Sequence, residues 1–143
     1  MLEPLTRKAA AVPLILLTLF LVLRGILPAW RTIDTDFPNY YTAGKVVLEG
    51  TGVNRLYDDL WFQGEIARNG MNLQGKFAPF PPPTALLFAP LAVFDPMTAL
   101  RIMTGINLLL LLVSIVVIAR IARARTWEAA MLVLLSGLGL ANC

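Results

Sequence analysis

The sequence predicts an all-α fold, a polytopic helical membrane protein with amphipathic helices in its first outer loop. Three observations predict it. The mean hydropathy is +0.70. Only 15% of residues are charged, where soluble domains carry about 25%. Several apolar runs approach the ~20 residues that cross hydrocarbon. At 143 residues the chain is one domain, here a partial transmembrane domain over 1–143. A soluble domain of this size could not hide so much apolar surface.

The first apolar run, 9–30, predicts a span with Arg24 as its only charge. Arg7 and Lys8 precede it and predict a cytoplasmic amino terminus. A cleaved signal peptide is the rival reading. The apolar stretch is long for one, and Arg24-Gly25-Ile26-Leu27-Pro28 follows where a small-residue cleavage site would stand. Arg24 is expected to snorkel to the headgroups, with a functional intramembrane charge as the alternative.

Residues 31–76 are too polar to span and predict an extracytoplasmic loop with two short helices. Asp36 is a candidate N-cap. After it Phe37, Tyr40, Tyr41, Gly44, Val47 and Leu48 recur at helical spacing, and Gly50 and Gly52 end the run. A second helix starts at Asp58 or Asp59, carries Trp61, Phe62 and Ile66 on one face, and stops at Asn69-Gly70. Such helices beside a span are expected to lie on the bilayer, apolar face down.

Residues 77–95 are apolar but hold Pro79, Pro81, Pro82, Pro83 and Pro90. They read as a proline-rich span or a re-entrant segment, with Pro81-Pro82-Pro83 a rigid lead-in. Residues 98–119 predict a span, uncharged from Ile102 to Ala119. Residues 127–143 predict an incomplete one. If 77–95 crosses, Arg120, Arg123 and Arg125 emerge outside, against the positive-inside tendency; a re-entrant segment removes the conflict.

Composition also excludes function classes. There is no histidine, and the one cysteine is Cys143. That rules out a Ser-His-Asp triad, an intrachain disulfide and a His- or Cys-built metal site, so no metal ligand is predicted. The net charge of +3 is scattered and predicts no nucleic-acid partner.

The motifs are Asp36-Phe37-Pro38-Asn39-Tyr40-Tyr41-Thr42-Ala43-Gly44, then Leu48-Glu49-Gly50, then Leu56-Tyr57-Asp58. Phe77 to Leu91 follows, with its prolines, and then the Asn107-Leu108-Leu109-Leu110 helix and a basic turn. This ordered set resembles the start of the bacterial glycosyltransferase 87 family. Its members are GT-C-type enzymes related to polyprenyl-phosphate-mannose-dependent mannosyltransferases. The resemblance runs from Asp36 to about Leu135.

It implies a partial GT-C-like fold in the cell (inner or plasma) membrane and sugar transfer on the outer face. A mannose-like sugar would pass from a polyprenyl-phosphate donor to a lipid or glycan hydroxyl, with no further cofactor. Asp36 matches the loop acid that deprotonates the acceptor.

The residues themselves allow that chemistry. A carboxylate within hydrogen-bond reach can take the hydroxyl proton, and cations favour the leaving phosphate. Arg31, Lys45, Arg55 and Lys76 are the loop candidates. Each has a plainer reading: Asp36 as a cap, Asp34 as an alternative base, Tyr40 and Tyr41 as packing or as a sugar platform, and Tyr57-Asp58 as a turn and cap. The expected substrate-binding set is Tyr40, Tyr41, Arg55, Tyr57 and Lys76.

Ser136 to Cys143 ends inside an apolar run. The chain is therefore expected to be the amino-terminal part of a longer enzyme, inactive alone. The alternative is a truncated, non-catalytic small membrane protein or partner subunit. A transporter fragment fits less well, since no inverted repeat is visible.

Overall fold

The computed structural model describes residues 3–34 and 36–140, with side chains described for 11–34 and 36–136. Arg7, Lys8 and Cys143 fall outside the described side chains. Among the described residues every regular element is helical. The chain divides into two units, Met1–Pro28 with Gly105–Cys143, and Ala29–Thr104.

The first unit holds helix α1 (Glu3–Phe20), a π-helical turn over Leu21–Ile26, most of α6 (Pro96–Ile121) and α7 (Thr126–Leu140). Helix α2 (Leu27–Arg31) continues α1 beyond the π turn. Among the described residues, two stretches are long and apolar enough to cross a membrane, Ala11–Arg31 and Pro96–Ile121. Val12, Ile15, Leu16, Leu109, Leu112 and Val113 among others stand exposed along them. Their hydroxyls return to their own helices: Thr18 donates to the Leu14 carbonyl and Ser114 to that of Leu110, both at 2.8 Å. Self-satisfied polar groups are what hydrocarbon demands.

The sequence predicts a regular first span, and the π turn departs from it. Its cause is local. Pro28 has no N–H for the Arg24 carbonyl and its ring would crowd that group. The chain widens, and Leu27 N–H reaches back to Val22 instead.

The second unit is a small packed core around α3 (Phe37–Glu49). Gly50 closes α3 in the left-handed region at φ 68°, its N–H meeting the Val46 and Val47 carbonyls. A 3₁₀ turn, Val53–Arg55, leads to α4 (Asp59–Arg68), which Asp58 caps by accepting from Trp61 N–H at 3.1 Å. The chain then runs to α5 (Pro83–Phe88) and a second 3₁₀ turn, Leu91–Val93. Asp95 accepts from Thr98 N–H at 3.0 Å at the start of α6.

Two expectations change here, and the choice between a span and a re-entrant segment over 77–95 narrows. Residues 77–95 contain no helix longer than six residues, about 9 Å of rise, so no single helix crosses there. The prolines break it, and the pieces fold back onto α3. The predicted α3 stripe is also incomplete. Thr42, Ala43 and Val46 are buried, while Leu48 is 47% exposed, because cover reaches α3 from more than one side. Finally, the inner faces of α3 and α4 do not point at lipid: Phe37, Tyr41, Phe62 and Ile66 close onto Phe77, Ala85 and Ala92.

Candidate functional site

Asp36 begins α3. Its backbone carbonyl accepts from Asn39 N–H at 3.0 Å and Tyr40 N–H at 3.2 Å. Its side chain makes no capping bond. The exposed carboxylate instead meets the Asn39 amide, Nδ2 donating to Oδ1 at 3.5 Å. The predicted cap position is right, and the predicted capping bond is absent, because Asp36 itself sits in helical backbone at φ −86°, ψ −6°.

Asn39 is 7% exposed, and its Oδ1 has no hydrogen-bond partner among the described residues. Gly75 presses against it: a Cβ there would run into Asn39 Oδ1 and come within 2.9 Å of Ile66 Cδ1. This close approach brings the 75–76 backbone beside the Asp36 turn. Gly75 is held from the other side, its N–H donating to Gln63 Oε1 at 2.8 Å, while Gln63 Nε2 donates to the Leu73 carbonyl at 2.8 Å.

The predicted ligand residues separate. Tyr40 stacks on Phe88 at 4.6 Å and tilts against Phe80 at 4.8 Å, forming a wall one turn along from Asp36. Burial, and secondarily the negative charge of Asp36, raise its phenol pKa, so the group stays a neutral donor. Tyr57 lies on Phe77 at 5.5 Å and donates to the Phe80 carbonyl at 3.0 Å. It props the same wall from behind.

Tyr41, also expected to bind, faces inward. It is 3% exposed and donates to the Phe94 carbonyl at 2.8 Å, which places it in the core. Burial, then Asp95 and Glu49, raise its pKa. Arg55 is likewise occupied, bonded to Asp58 Oδ2 at 2.8 Å with its guanidinium 5.2 Å from the Trp61 ring. Lys45 donates to the Ala92 carbonyl at 3.3 Å and pairs with Glu49. Arg31 and Lys76 are exposed and have no ion pair among the described residues.

The site thus gathers Asp36, Asn39, Tyr40 and the Gly75-Lys76 backbone. Asn39 and Gly75 were not singled out from sequence. Asn39 sits three residues after Asp36, a helical spacing that could have flagged it. The need for glycine at 75 arises from Asn39 and Ile66, both distant in sequence, and leaves no local signal.

Residues 77–142 match the model of Glycosyltransferase family 87. The match covers under half of the chain, spanning α5, α6 and most of α7, and starts after the Asp36 turn. The chain is similar to that family over this stretch, which points to a glycosyltransferase associated with the membrane. No curated protein and no solved structure matches the chain.

Proposed function

We propose that the chain works in a membrane glycosyltransferase with Asp36 as general base. Similarity to Glycosyltransferase family 87 supports the class. One observation carries the residue. Of three aspartates at helix starts, Asp58 and Asp95 accept a backbone N–H, and Asp36 does not. Its carboxylate is exposed and caps no backbone N–H of α3; it meets the Asn39 side chain, through a long 3.5 Å contact.

The acceptor hydroxyl gives its proton to Asp36 as its oxygen bonds the anomeric carbon. The bond from that carbon to the polyprenyl phosphate breaks, and the phosphate leaves with the electron pair. Arg31, exposed and without an ion pair among the described residues, is the loop cation left to meet it. Tyr40 and Phe80 offer the apolar ring wall a sugar favours. A mannose-like sugar, a polyprenyl-phosphate donor and a lipid or glycan acceptor complete the reading. Arg55 and Tyr57 serve it by fixing the loop.

Crossing at Ala11–Arg31 and Pro96–Ile121, without one between, leaves the 31–95 segment on the outer face. The amino terminus and Arg120, Arg123 and Arg125 then share the cytoplasmic side, as the positive-inside tendency asks.

The test is sugar transfer in membranes expressing the complete gene. A radiolabelled polyprenyl-phosphate sugar should label lipid or glycan. Label arriving only from a nucleotide sugar, or none above vector membranes, refutes the proposal.

A further inference from the structure

Beside the Asp36 turn lies a groove of about 410 Å³ lined by Asp59, Leu60, Gln63, Gln74, Gly75 and Lys76. It is shallow and open to solvent. Its floor is rigid, since both ends of the Gln63 amide are held, by the Leu73 carbonyl and Gly75 N–H. Its rim is the reverse. Asp59, Gln74 and Lys76 have exposed side chains with no hydrogen bond or ion pair among the described residues. Leu60 is 89% exposed.

We propose that this groove is a binding subsite for a neutral, polyhydroxylated ligand, the sugar end of the acceptor. The carboxylate accepts hydroxyl protons, the amide does both, and the ammonium donates. One negative and one positive group balance, so the rim offers a phosphate no net attraction. Leu60 gives an exposed apolar contact for the C–H groups of a sugar ring. Gly75 and Lys76 line the groove, and Gly75 also abuts Asn39, whose amide meets the Asp36 carboxylate. The groove is therefore linked to the Asp36 turn through Gly75 and Asn39. The acceptor role rests on the glycosyltransferase reading; the binding does not.

The experiment is amide NMR of the full 143-residue chain in micelles of an amine-oxide detergent, free of sugar and phosphate. Mannobiose, maltose and cellobiose are titrated separately, then inorganic phosphate. Saturable shifts at Asp59, Gln74 and Lys76 with at least one disaccharide are expected, and none with phosphate. Asp59→Ala and Gln74→Ala should each weaken that binding about tenfold, with unchanged spectra elsewhere. Asp36→Asn should leave it intact, which separates this site from the base. No saturable shift with any disaccharide, shifts with phosphate alone, or affinity unchanged in both groove variants overturns the proposal.

Discussion

Asp58 and Asp36 are the same residue type at the same helical position, and their surroundings divide their tasks. Asp58 accepts from Trp61 N–H and holds Arg55. The Arg55 hydrogen bond first, then the Trp61 amide, lower its pKa. A depressed carboxylate contributes stability above its unfolded pKa, about 3.9, and loses it as pH falls through the lower folded value. Thermal melts of wild type and Asp58→Asn should therefore converge below pH 3.9 and stay apart above it. Tyr41→Phe strands the Phe94 carbonyl and should cost about 1 kcal/mol of stability, read by melting, while leaving the outer surface unchanged. The Asp58 cap was legible because Asp before an apolar helix is a strong local signal. The role of Tyr41 was not: its partner lies 53 positions away, and spacing says only that an aromatic sits on a helix face.

At the scale of elements, α3 is decisive. Its ends were legible from Asp36 and Gly50, which act locally. Its packing was not, because the cover comes from residues 77–94, whose prolines and apolar character suit a membrane segment equally well. Gly44 marks the contact: an added Cβ would sit 2.7 Å from the Phe88 carbonyl carbon and 2.9 Å from Ala89 N. Those are backbone atoms with little room to give. Gly44→Ala should destabilise the Ala29–Thr104 unit by about 1–3 kcal/mol, seen as a lower melting temperature. Lys45 and Tyr41 donate to the Ala92 and Phe94 carbonyls, so α3 also satisfies the irregular backbone that the prolines leave exposed.

For the whole molecule, apolar run length made the two candidate crossings legible. The middle segment stayed open between a span and a re-entrant segment because hydropathy does not register a broken helix. With two crossings, Ala78→Cys and Thr126→Cys should lie on opposite faces. In a Cys143→Ser background, a membrane-impermeant maleimide should label position 78 in intact cells and position 126 only after lysis. Labelling of both in intact cells contradicts the arrangement.

The central claim is that Asp36 is left free for chemistry. Transfer from a polyprenyl-phosphate sugar, measured in membranes from the complete gene for Asp36→Asn and Asp58→Asn together, tests it most directly. The account predicts that Asp36→Asn abolishes transfer at unchanged melting temperature, while Asp58→Asn melts lower and still transfers. Turnover at the wild-type rate in Asp36→Asn contradicts it.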